Sequence, residues 1–108
     1  MSDDCQILIP DSFLALYRDA RGRLTVSQAL LRDRYEVCED LANHLVQHCQ
    51  GLHVEIGVDE QEVLRRCHLG LCSPDAGVSE AEAGWIVTRL AELLNWPWPE
   101  FLPLPEGS

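Results

Sequence analysis

The sequence predicts an all-α fold: a small bundle of about four helices with one long central helix and an apolar C-terminal tail rich in proline and tryptophan. Three observations predict it. From residue 27 to 56 the apolar positions Leu31, Tyr35, Cys38, Ala42, Leu45, Cys49, Leu52 and Ile56 alternate steps of four and three, a spacing that only an α-helix gathers on one face. Helix-start signatures, in which Thr, Asp or Ser is followed three residues later by Gln or Glu, stand at Thr25, Asp59 and Ser79. The one candidate strand, Gln6-Ile7-Leu8-Ile9, has no evident partner.

Length and charge narrow the function classes. A chain of 108 residues suits one domain, 1–108, with an N-terminal arm at 1–10 and the tail at 96–108. Eighteen acids against eight basic residues give a net charge of −10, which opposes binding to nucleic acid and to anionic membranes. Every basic residue is Arg, so the phosphate-binding lysine of a P-loop and any Schiff-base lysine are missing. The opening Met1-Ser2-Asp3-Asp4 is not a signal peptide, and no apolar run approaches the roughly 20 residues that cross a bilayer. A cytosolic location is expected. Five Cys, an odd number, do not suggest a secreted disulfide framework.

The elements follow in order. Asp11 or Ser12 is expected to cap a short helix from Phe13 to about Arg18, with residues 19–23 as a loop. Five Arg between residues 18 and 34, Arg18, Arg21 and Arg23 among them, face only Asp19 and Asp33, a local charge of +3. They either neutralise acids of their own fold, stand solvated, or contact an anion or acidic partner. Thr25 and Gln28 form the expected capping box of the long helix. Gly51 within it costs roughly 1 kcal/mol relative to Ala. Burying Leu52 and Ile56 returns about 1.5–3 kcal/mol each, so the helix should continue. Gly57 supplies a left-handed terminus. Asp59 and Glu62 box a third helix, residues 60 to about 69, burying Val63, Leu64 and Cys67. After a Pro/Gly loop, Ser79 and Glu82 box a fourth, 80–95, which buries Ala83, Ile86, Val87, Leu90, Ala91 and Leu94 and stops at Pro97. The tail is expected to pack back across the bundle and bury Trp96 and Trp98, or to be offered with Phe101 to a partner.

Chemistry-bearing residues are few. His44 and His48 lie four apart on the long helix, and Cys67, His68 and Cys72 cluster at the end of the third; zinc accepts these ligand types. Their spacing matches no established metal motif, and no cofactor is expected. Cys38 and Cys49 sit in the apolar row and read as small hydrophobes, leaving Cys5, Cys67 and Cys72 for thiol chemistry. A nucleophile elbow, a Gly-rich phosphate loop and a zinc-protease helix are all lacking. A helix-turn-helix reading of helices three and four meets too long a connection and an acidic fourth helix.

Arg34-Tyr35-Glu36-Val37-Cys38-Glu39-Asp40-Leu41-Ala42, Val63-Leu64-Arg65-Arg66-Cys67-His68-Leu69-Gly70-Leu71 and Val78-Ser79-Glu80-Ala81-Glu82-Ala83 resemble a family of small uncharacterised proteobacterial proteins. Some of its members carry the automatic label "ATPase with chaperone activity". The resemblance spans most of residues 25–98 and implies association with a larger ATPase or chaperone; with no lysine and no nucleotide-binding loop, it does not imply an intrinsic ATPase.

Together these features predict an acidic protein-interaction module, an adaptor or regulator without catalytic activity, with Arg18, Arg21, Arg23, Trp96, Trp98 and Phe101 as partner-binding candidates. The alternative is a metal-binding or thiol-active protein using Cys67, His68 and Cys72. A helix of thirty residues spans about 45 Å, against a radius of gyration of about 13 Å for a domain this size. Its end should therefore overhang, bend at Gly51 or be covered by a second copy, and a homodimer through the long helix is expected.

Overall fold

A computed structural model describes residues 9–102. Helix α1 (Asp11–Leu14) tightens into a 3-10 turn (Ala15–Tyr17); α2 (Gln28–Val54), α3 (Glu60–Leu71), a second 3-10 turn (Pro74–Ala76) and α4 (Glu80–Leu94) follow. The fold is all-α. Among the described residues the only β contact is a single antiparallel bridge between Arg18 and Leu24, and no helix is long and apolar enough to cross a membrane. Residues 1–8 of the expected arm at 1–10, Cys5 among them, and the tail beyond 102 lie outside the described residues. The chain divides into two compact units, Met1–Val37 and Cys38–Ser108, with the boundary inside α2.

In the first unit Pro10, not Asp11 or Ser12, is the N-cap, and its carbonyl accepts from the N–H groups of Phe13 and Leu14, both at 3.0 Å. Arg18 is extended, so the short helix stops before it. Phe13 is fully buried, its ring 5.6 Å from Tyr17 and edge-on to Tyr35 at 5.5 Å. The expected box at Thr25 does not form. Thr25 Oγ1 instead donates to the Tyr17 carbonyl at 3.0 Å, beside the Thr25 N–H at 2.7 Å. The cap falls to Ser27, whose Oγ accepts from the Leu30 N–H at 3.1 Å. This is the N-cap to N3 geometry that satisfies a free helix donor.

In the second unit α2 runs through Gly51 as expected but stops at Val54. Gly57, at a φ of +82°, turns the chain, so that the Val58 N–H donates to the Leu52 carbonyl at 3.1 Å. That turn corrects the expected helical seam at its end: Ile56 lies beyond the helix and is 69% exposed, with Val54 at 76%. Cys38, Ala42 and Cys49 are fully buried, as the apolar spacing requires. Asp59 caps α3 by accepting from the Gln61 N–H at 3.0 Å, but Glu62 does not complete the box. Its carboxylate binds Arg65 at 2.7 Å and Arg66 at 2.9 Å instead, because charge-assisted bonds outcompete a neutral backbone donor. Helix α3 continues past Leu69 through Gly70, which buries Leu71.

The Ser79–Glu82 capping box forms in full. Ser79 Oγ accepts from the Glu82 N–H at 3.0 Å, and Glu82 Oε1 accepts from the Ser79 N–H at 2.9 Å. Ala83, Ile86, Val87, Leu90 and Ala91 are buried, joined by Trp85, whereas Leu94 is only half-buried. Asn95 ends α4 in the left-handed region (φ 60°), two residues ahead of Pro97.

Arg89 of α4 reaches Glu39 of α2 at 3.0 Å and Glu92 of its own helix at 3.2 Å. The hydrogen bonds from Arg89 hold the Glu39 carboxyl below its ordinary value of 4.5. A carboxyl depressed in the folded state stabilises fully above its unfolded value, and that stability is lost as pH falls through the folded one. Glu39→Gln is therefore expected to be less stable than the native chain at neutral pH, with the difference vanishing at an acid pH below the lowered Glu39 value. Urea unfolding at both pH values checks this; a gap independent of pH would refute it.

The tail packs back through residue 102, but with a correction to what it buries. Pro99 is fully buried, while Trp98 stays 37% exposed and Trp96 half-buried. The reason is Gln61, whose side-chain amide donates to the Trp98 carbonyl at 3.1 Å and accepts from the Glu100 N–H at 2.8 Å. This grip fixes the backbone so that Pro99, not its neighbours, goes inward.

Candidate functional site

The first candidate is the arginine loop, residues 18–24. The Asp19 carboxylate accepts from the N–H groups of Arg21 at 2.9 Å and Arg23 at 3.0 Å. Its own N–H donates to the Arg23 carbonyl at 2.8 Å, and Gly22 takes the positive φ of +82° that the turn needs. With the Arg18–Leu24 bridge below, one aspartate organises a small closed loop. Arg18, Arg21 and Arg23 are all exposed on it, and no ion pair joins any of them to a carboxylate among the described residues. Arg65, Arg66 and Arg89, by contrast, are all paired. Of the readings open from sequence, neutralisation within the described fold does not apply to these three.

The second candidate is a pair of thiols. Cys49 of α2 and Cys67 of α3 face each other with their sulfurs 3.3 Å apart, both buried. Cys49 is buried as the apolar row requires, and its contact with Cys67 splits the expected cluster. His68 and Cys72 form a separate exposed contact, Sγ to Nε2 at 3.8 Å, with the Phe101 ring tilted against His68 at 5.4 Å. His44 and His48 are exposed on α2, and His44 Nδ1 lies 2.8 Å from the Asp40 carbonyl. Among the described residues no three His, Cys, Asp or Glu side chains converge as a metal site. Cys67, His68 and Cys72 therefore do not form one centre.

The hydrogen bond from Cys49 draws the Cys67 thiol below its ordinary value against the opposing effect of burial. The same bond, with burial, pushes Cys49 far up. Cys67 also lines an open cleft of about 230 Å³ together with Leu45, His48, Leu52, Arg66 and Leu71. The pairing had a signal in the sequence. Cys49 and Cys67 each lie nine residues from Val58, and a tight antiparallel helix pair sets such positions side by side.

The aromatic candidates do not gather at one point. Trp96 is edge-on to the His53 ring at 5.1 Å, Trp98 is exposed, and Phe101 lies on His68. No protein-family model, curated protein or solved structure matches the chain.

Proposed function

We propose that this chain is a protein-interaction module without catalytic activity of its own, whose arginine loop docks on an acidic surface of another protein. One observation carries the reading: three exposed arginines stand on a hydrogen-bonded loop with no ion pair to a carboxylate among the described residues, in a chain of net charge −10. Arg18, Arg21 and Arg23, free of the carboxylates of the described residues, are available to a partner. Guanidinium is suited to the task because its planar fork binds carboxylates in pairs. The overall negative charge does not cancel the loop. At physiological salt the Debye length is about 8 Å, so a docking carboxylate responds to the nearest charges.

The family resemblance points the same way, toward a larger ATPase or chaperone as the partner. The test is quantitative affinity capture from one cytosolic extract with the native chain and with R18E/R21E/R23E. Proteins of acidic surface should be retained by the native chain, elute as salt rises and bind the variant at least about tenfold more weakly, which is about 1.4 kcal/mol. Far-ultraviolet circular dichroism confirms that the variant keeps its helices. A specific partner retained equally by both chains would overturn the proposal.

A further inference from the structure

We propose that Cys49 and Cys67 are a peroxide-oxidised dithiol, a modification site whose disulfide staples α2 to α3. Three features of the geometry support it. The sulfurs are 3.3 Å apart without being bonded, so closure to the roughly 2.04 Å of a disulfide needs an approach of little more than an ångström. The sulfurs are carried by consecutive helices joined by a short turn, so neither must cross the fold to reach the other. And Cys67, though only 9% exposed, lines the cleft of about 230 Å³, large enough to hold a molecule the size of hydrogen peroxide beside that residue, whereas Cys49 does not line it.

The pair divides the chemistry between its members. Cys67 is the sulfur that meets the oxidant, and its thiolate is the nucleophilic form. It attacks one peroxide oxygen; the S–O bond forms, the O–O bond breaks, and the departing hydroxide takes up the proton released by Cys67 and leaves as water. Cys67 is then a sulfenic acid. Cys49 attacks the Cys67 sulfur, the S–O bond breaks, and the hydroxide leaves as a second water with the Cys49 proton. Two thiols and one peroxide become one disulfide and two waters, the sulfurs losing the two electrons that the peroxide gains. Cys49 has no place on the cleft lining and serves as the resolving thiol.

The exposed Cys72 is a competing target, so the test uses the full chain as C5S/C72S. This protein is reduced, freed of reductant, treated with one equivalent of hydrogen peroxide and alkylated. Before alkylation the intact mass should fall by two hydrogens, and fragment spectra of the tryptic digest of the alkylated protein should place the link between Cys49 and Cys67. A link through Cys38, or both Cys49 and Cys67 recovered as alkylated thiols, would overturn the proposal. The roles are tested by single replacements in the same background, with circular dichroism to confirm folding. C49S should stop at a Cys67 sulfenic acid captured by dimedone, and C67S should leave Cys49 unoxidised; oxidation of Cys49 in C67S at the native rate would overturn the assignment of Cys67.

Discussion

Leu90→Ala is expected to lower the unfolding free energy by about 2–5 kcal/mol, a large share of the 5–15 kcal/mol typical of a domain. Leu90 is fully buried, one turn from Ile86 on the face that α4 turns inward, and α4 packs on α3. Removing three carbons there loses their burial and leaves a cavity that neighbours fixed on two helices fill only in part. The control is Leu69→Ala. Leu69 is 59% exposed on α3, and its replacement should change stability by no more than about 0.5 kcal/mol. Urea unfolding of both variants checks the pair of values; equal losses would show that the inward face of α4 has been misassigned.

Phe13→Ala is expected to cost about 3–5 kcal/mol in the first unit. The ring is completely buried and contacts Tyr17 and Tyr35, pairs that contribute about 0.5–1.5 kcal/mol beyond their buried area. The effect should travel to the arginine loop, because the Tyr17 carbonyl that Thr25 grips twice belongs to the residue stacked on Phe13. Amide exchange read by mass spectrometry should therefore rise across residues 17–25 of the variant. Unchanged protection there would separate the loop from the aromatic cluster and leave Asp19 alone as its organiser.

The parts of this fold that could be read from sequence are those set by periodicity and by capping. Cys38, Ala42 and Cys49 fall inward on α2, Ile86, Val87 and Leu90 on α4, and Ser79 with Glu82 closes a box, because each is decided within one or two helical turns. Local rules failed where two groups competed for one partner. Thr25 is drawn to Tyr17, eight residues back, and Glu62 is drawn to two arginines rather than to its own backbone. The tail shows the same limit. Trp98 is far larger than Pro99, yet Gln61, 37 residues earlier, decides which of them is buried.

The candidate sites divide along the same line. Arg18, Arg21 and Arg23 could be named from charge density, but their lack of ion pairs among the described residues depends on where each carboxylate there goes. Cys67 could be named by residue type, yet grouping it with His68 and Cys72 followed adjacency in sequence. Its actual neighbour is Cys49, one helix away. Helical rotation explains the difference: residues 67 and 68 are about 100° apart around the axis and cannot face the same way.

The contacts of the second unit also differ in how much chain each one closes. The thiol pair closes 18 residues, the Gln61 grip 37 and 39, and the Arg89–Glu39 bridge 50. Closure entropy grows as the logarithm of length, so the longest of these loops costs about 0.9 kcal/mol more to shut than the shortest. Synthesis from the N-terminus favours the same order, delivering residues 49–67 before α4 exists. Of these three closures the α2–α3 hairpin therefore carries the smallest entropic cost, and both of its sulfurs lie in the part of the chain made before α4.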